Sequence, residues 1–337
     1  MKEPKILLLA TIDGIKAEGN YDESDQIDQY YFFSNDPAFV VEQIAGEAEN
    51  VRKQIGEFNF QSILRSRATV FLQQPFTDLH VLSKFLGKHP VASLLQAFRS
   101  RLLPFVHFLW LVKDSSASVG NIYCIFPHSV AEGDPNIFCL GCKGNMAPVT
   151  FQREEIKSAV NTMASYRTSL KAQKFSTPNA LKFTDTFTSE FSADKSRLSK
   201  ALLMLQVVRQ TEDIGLKIAH YCSCFEILFN SPDDMEGISH KLAERMTFFL
   251  SSSVNERVNL YEAVREAYRV RCEVFHGKFL KPGRQAQLEQ ICVKCDELLR
   301  ETLCRILKSP EFAALFTDKP EKFDRHFRDL IFRAYET

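Results

Sequence analysis

From Ser192 onward, apolar residues recur at three- and four-residue steps almost without interruption, and no other feature constrains the fold of this chain as strongly. Leu198, Ala201, Leu202, Leu205, Val208, Ile214, Ile218, Tyr221, Phe225 and Leu228 mark one or two long amphipathic helices, with Gly215 as a weak point and Ser231-Pro232-Asp233-Asp234 as the break. A helix is expected at 238–250 and another up to Gly277. A fourth follows Leu288, Ile291, Cys292, Cys295, Leu298, Leu299, Leu303 and Ile306 after a turn at Lys281-Pro282-Gly283, and a closing one follows Phe323, Phe327, Leu330, Ile331 and Tyr335. Amphipathic helices with short connections predict an up-and-down bundle over 190–337.

One of these helices carries both a start and a stop signal. Ser253-x-x-Glu256 reads as a capping box, and Gly277 as a left-handed terminator. Near its end stand Arg271 and, five residues on, His276. As a structural pair, a cation and an imidazole in the last turn complement the negative end of the helix dipole. As a chemical pair, a permanently charged guanidinium and a group that exchanges a proton near neutral pH suit phosphate chemistry without a metal. Five residues turn a regular helix by about 140°. The two side chains therefore share one site only if the helix ends or distorts there, or if a second subunit brings a matching pair.

Residues 197–307 resemble the HEPN domain, in its ApeA-like branch, where an Arg-x4-6-His motif ends a helix. Arg271, His276 and Gly277 match that motif; SCFEILF places Glu226 where the branch carries an acidic residue in an apolar helix, and ISHKLAERMTFFL supplies the preceding helix with His240 and Arg245. Cys272 departs from the small polar residue that many such sequences have next to the arginine. The resemblance implies a metal-independent endoribonuclease without a cofactor, working in the cytoplasm as a homodimer whose two motifs face each other. Arg271 and His276 would be catalytic, leaving 2′,3′-cyclic phosphate ends on an RNA substrate, in antiviral defence or a toxin system. Glu226, Arg245, His240 and Glu273 would support or line the site. The alternative within the same resemblance is an RNA-binding or scaffolding bundle that cleaves nothing. Independently of it, a carboxylate on the apolar face that carries Phe225, Leu228 and Phe229 is costly unless paired, so Glu226 is expected to meet Arg245 or Arg271.

The first half reads differently. Lys5–Ile12 is expected as a buried strand before an Asp-Gly turn, Gln29–Ser34 as a second, and Asp36-Pro37 as the start of a helix running to about Phe58. Short helices are expected at 79–86 and at 91–102, the latter stopped by Pro104. FVHFLWLV at 105–112 is then expected as a central strand with His107 a hydrogen-bonded core residue, NIYCIF at 121–126 and NIFCLG at 136–141 as a hairpin, and 151–174 as a charged helix. The polar stretch 175–189 is the expected boundary. The fold class is thus α+β: a mixed α/β accessory or sensor domain at 1–175, open to a trigger or regulatory partner, followed by the all-α bundle.

The 42 basic and 42 acidic side chains leave no broad basic half, so any RNA contact is expected at a small site. Nine cysteines without dense spacing fit a reducing compartment. The apolar runs at 6–10 and 105–112 are too short for a signal peptide or a membrane span. Cys139/Cys142 and Cys292/Cys295 have the Cys-x-x-Cys spacing of zinc ligands, but the second pair lies on an apolar seam and reads as core. No Walker loop, dinucleotide turn or two-metal acidic set is present.

Overall fold

Ile6 to Ala10 form a run with no polar interruption, the pattern of a strand buried on both faces, and the chain puts them at the centre of a sheet. A computed structural model describes residues 5–19, 21, 27, 32–44, 47–66, 68–75, 89–133, 138–172, 196–231, 236–277, 282–317 and 320–333. It divides into two units, Met1–Cys139 with Met146–Glu190, and Leu140–Asn145 with Phe191–Thr337. The expected boundary at 175–189 and the expected helix at 79–86 lie outside the described residues, as do residues 29–31 of the second strand.

In the first unit β1 (Lys5–Asp13) pairs antiparallel with β4 (Thr69–Pro75) on one side and β5 (Ser118–Phe126) on the other. With β3 (Phe32–Ser34) and β6 (Ser129–Gly133) the order is β3-β4-β1-β5-β6, while β2 (Ile15–Glu18) and β7 (Val149–Gln152) form a separate parallel pair. Leu7, Leu9, Tyr123 and Ile125 pack on one face of the sheet with Val40 and Ile44 of the first helical segment and Val51, Phe60 and Ile63 of the second. These are α1 (Pro37–Gln43), opened by the Asp36 carboxylate accepting from the Ala38 N–H at 2.9 Å, and α2 (Ala48–Arg65). The single helix expected to Phe58 is thus two, and the second continues to Arg65.

Two expectations fail here. FVHFLWLV is not a strand: α3 (Pro90–Val112) runs straight through Pro104, and Phe105, Val106, His107 and Phe108–Leu111 are buried in it. An eight-residue apolar run has no periodicity to separate a buried helix from a buried strand, and neighbours on every side hold the helix despite the missing proline N–H. The partner of NIYCIF is also not NIFCLG. β5 turns back through Pro127 and His128, the latter at φ 66°, so that Phe126 faces Ser129 in β6, and residues 138–141 are not in a strand. After β7, α4 (Arg153–Ala172) packs on α3, with Phe108 and Tyr166 rings 5.9 Å apart.

The second unit is the bundle, comprising α5 (Arg197–Gln210), α6 (Ile214–Phe229), α7 (Ile238–Leu250), α8 (Val254–Phe275), α9 (Pro282–Lys308), α10 (Pro310–Thr317) and α11 (Pro320–Arg333). Pro282 opens α9 rather than making a turn, and α10 precedes the closing helix. The fold class α+β is therefore observed, and among the described residues no helix is long and apolar enough to cross a membrane.

Helix α6 is the axis, packed by α5, α7, α8 and α9, and its Ile218, Ala219, Tyr221, Cys222, Cys224, Phe225 and Leu228 are buried. Gly215 marks its start. Asp213 caps it by accepting from the Leu216 N–H at 2.8 Å, and a Cβ on Gly215 would approach the Val274 Cγ2 of α8 to 3.2 Å. Lys217, fully buried, donates to the Val208 and Thr211 carbonyls at 3.0 and 3.1 Å and so closes α5. In the core the Tyr221 hydroxyl donates to Asp296 at 2.6 Å, and Arg300 Nε donates to the other Asp296 oxygen at 2.7 Å.

The segment Leu140–Asn145 belongs to this unit although it lies far upstream. Leu140 N–H donates to the Arg209 carbonyl at 2.6 Å, and Cys292 Sγ donates to the Cys142 carbonyl at 3.0 Å. A six-residue excursion of this kind has no signature in composition.

Candidate active site

The motif helix α8 starts and stops where its sequence signals place it, by means that differ at the start. Ser253 is the N-cap residue, but its side chain makes no capping bond; Glu256 instead accepts from the Ser251 hydroxyl at 2.6 Å. At the other end His276 is the C-cap (φ −88°, ψ 8°) and Gly277 adopts φ 63°. Backbone groups close this end: His276 N–H donates to the Cys272 carbonyl at 3.1 Å and Gly277 N–H to the Val274 carbonyl at 3.2 Å.

Arg271 is therefore not needed as a cap, and it points elsewhere. Its Nη2 lies 3.6 Å from Glu226 Oε1 on α6, with about a quarter of each side chain exposed, so of the two arginines expected for Glu226 the structure selects Arg271. Its guanidinium carbon sits 5.3 Å from the Tyr268 ring and 5.2 Å from the Phe275 ring. These are the residues three before and four after Arg271 on α8, and they bracket a charge already fixed by a carboxylate. Its Nε is buried without a hydrogen-bond partner among the described residues.

Tyr268 completes the arrangement. Burial, then the Glu226 charge and a side-chain hydrogen bond to Glu226, push its phenol up to about 12, with Arg271 acting in the opposite direction. The hydroxyl thus stays protonated at neutral pH beside the carboxylate. Beneath this cluster the Cys222 thiol is pushed up by burial and then by Glu226, against the pull of Arg271, so it is a neutral core group.

The other expected residues are distributed as follows. His276 is exposed at the helix end, and among the described residues nothing bonds its imidazole to Arg271 or orients it. Glu273, two positions beyond Arg271, is about 200° round the helix from it. His240 Nδ1 lies 2.7 Å from the Tyr261 hydroxyl, and Tyr261 precedes Arg271 by ten residues, about 15 Å of helix rise. Arg245 donates to the Phe229 carbonyl at 2.8 Å and faces Asp324 at 3.9 Å, closing the end of α6 rather than meeting Glu226. Tyr268 and Phe275 are functional neighbours that the sequence reading does not single out; their −3 and +4 spacing about Arg271 is the signal that finds them.

Chemically, the site offers one guanidinium held by a carboxylate, an exposed imidazole five residues on, and an aromatic ring, Phe275, that is 52% exposed beside the cation. Among the described residues no group of three or more His, Cys, Asp and Glu side chains is arranged to hold a metal ion. No protein-family model matches the chain, and neither curated proteins nor solved structures provide a match.

Proposed function

We propose that the bundle is a metal-independent endoribonuclease acting as a homodimer, and that Arg271 and His276 carry the reaction. The observation that carries this reading is the position of Arg271. It caps nothing, and a carboxylate and two rings hold its charge at the surface end of α8. A guanidinium prepared in this way suits the charge that builds on phosphate oxygens during attack by a ribose 2′-hydroxyl. His276 takes the 2′-hydroxyl proton or returns one to the leaving 5′-oxygen. The P–O5′ bond breaks as the P–O2′ bond forms, and the products are a 2′,3′-cyclic phosphate and a 5′-hydroxyl. The open face of Phe275 suits stacking of the base beside the scissile phosphate.

Among the described residues no group of the same protomer orients the imidazole, which is the reason for invoking a second copy. Val254 and Val258 are 70% and 58% exposed and one turn apart on α8, an apolar patch suited to self-association. Incubation of the protein with total RNA in the presence of EDTA, beside sedimentation, tests the reading. Dimers that cut RNA and leave cyclic phosphate ends support it. The unoriented His276 together with Cys272 favours a second reading, an RNA-binding or scaffolding bundle, and binding without cleavage would establish that one instead.

A further inference from the structure

Helix α2 is broken at Gly56, at φ 81° and ψ 160°, and restarts in a new phase. In the restarted half Phe60 and Ile63 enter the core, whereas Phe58, Gln61, Ser62 and Arg65, at i, i+3, i+4 and i+7, form a stripe on another side. That stripe is one wall of a groove of about 400 Å³ whose other wall is the β1–β2 turn, Ile12–Lys16, with Pro148. Gly14 keeps the turn bare: it sits at φ 75°, and a Cβ there would fall 2.3 Å from the Ser116 carbonyl oxygen. The volume is in the range that holds small ligands.

The chemistry along the groove is unusually specific for a surface. Phe58 is 86% exposed, more than any other large apolar side chain among the described residues, and it stands at the rim where solvent alone would favour a polar residue. Lys16 and Arg65 line the groove without an ion pair among the described residues, and the Asp13 carboxylate, which also lines it, has no hydrogen-bond donor there. A ligand that satisfies all four brings a flat ring, an anion and a hydroxyl or amino donor together in a few hundred Å³.

We infer that this groove binds a nucleoside phosphate, with the base on Phe58, the phosphate between Lys16 and Arg65, and a sugar hydroxyl or base amino group on Asp13. The inference stands apart from the reading of the bundle, because none of these residues belongs to it.

Calorimetric titration of the full-length protein with AMP, GMP, CMP and UMP tests it, with inorganic phosphate, adenosine and phenylalanine as comparison ligands. Saturable binding of at least one nucleotide is expected, tighter than binding of phosphate or nucleoside alone. Phe58→Ala should weaken it about tenfold, the scale of one base–aromatic stack. Arg65→Glu should abolish it, and since both side chains lie at the surface, the thermal midpoint without ligand should not move. Arg271→Ala and His276→Ala should bind nucleotide as the parent does. No saturation by any nucleotide at millimolar concentration overturns the inference. So does tighter binding of phenylalanine than of any nucleotide, or binding that survives Arg65→Glu but is lost in Arg271→Ala, which would put the ligand in the bundle.

Discussion

Glu226 on α6 and Arg271 on α8 face each other at 3.6 Å, and the same carboxylate pushes up the Tyr268 phenol. Two helices thus fix one guanidinium, and the arrangement separates its structural from its chemical contribution. Glu226→Gln keeps the volume and removes the charge. Because about a quarter of each side chain is exposed, the expected loss of stability is about 1 kcal/mol or less. If Arg271 is catalytic as proposed, RNA cleavage should fall about tenfold or more, since an unanchored arginine must be ordered at every turnover. Tyr268→Phe, which keeps the ring on Arg271, should act in the same direction and less strongly. Cleavage rates at saturating and limiting RNA, beside urea unfolding, check this; unchanged rates in both variants would make the triad a strut and nothing more.

Asp296 is a stronger structural element than any residue of the motif. Its side chain is 1% exposed and bonded on both oxygens, to Tyr221 and Arg300. Asp296→Ala removes the acceptor shared by a buried phenol and a partly exposed guanidinium, and the expected cost is about 3–5 kcal/mol, read from the urea midpoint at constant slope. Replacing the pair together, Asp296→Leu with Arg300→Met, should recover most of that loss, because the desolvation of both charges is then avoided.

Acid should loosen the bundle through two imidazoles. Burial lowers the pKa of His220 and of His326 below the usual 6.5, and for His326 the charges of Glu311 and Asp329 only partly oppose this. The unfolded chain then binds more protons than the folded one as pH falls through 6.5, so stability present at pH 7 is lost on the acid side. His326 packs edge-on against Phe327 at 5.3 Å, so His326→Gln at this partly exposed site should flatten the pH dependence of the thermal midpoint between pH 7 and 5. An unchanged slope in His220→Gln and His326→Gln together would assign that region to carboxylates.

What the sequence made legible follows from period. The bundle helices could be placed because Leu202, Leu205, Phe225, Leu298 and Leu303 each repeat on one face, and the end of α8 because Gly277 has a backbone reason to be there. Residues 105–112 had no period, and a uniformly apolar run reports burial without reporting the element. Glu226 could be expected to need a partner from its apolar neighbours, but the choice between Arg245 and Arg271 depended on where α6 ends relative to α7 and α8, a tertiary fact. Asp296 gave no signal, since one acidic residue beside a seam reads as a solvated helix position, and the Leu140–Asn145 excursion onto the bundle depends on a carbonyl pairing that no side chain announces.

The decisive prediction concerns His276 and Arg271 together. With the Cys272 and Val274 carbonyls of α8 taken by the His276 and Gly277 N–H groups, neither side chain is required to end the helix, so the dipole contribution of each is at most about 0.3–1 kcal/mol. If they are catalytic, His276→Ala should lower RNA cleavage by about 10²- to 10⁴-fold while the thermal midpoint and the sedimentation behaviour stay those of the parent. Arg271→Lys is the sharper variant: it keeps one positive charge for Glu226 but loses the planar fork and the stack between Tyr268 and Phe275, so cleavage should fall far below the parent with little change in fold. RNA binding separates the remaining cases. A variant that binds RNA as the parent does and no longer cuts it places the residue in the chemical step, and a variant that neither binds nor cuts places it in substrate capture. His276→Ala cutting as fast as the parent removes the nuclease from this motif, and the exposed Arg271–Phe275 surface is then a binding surface only.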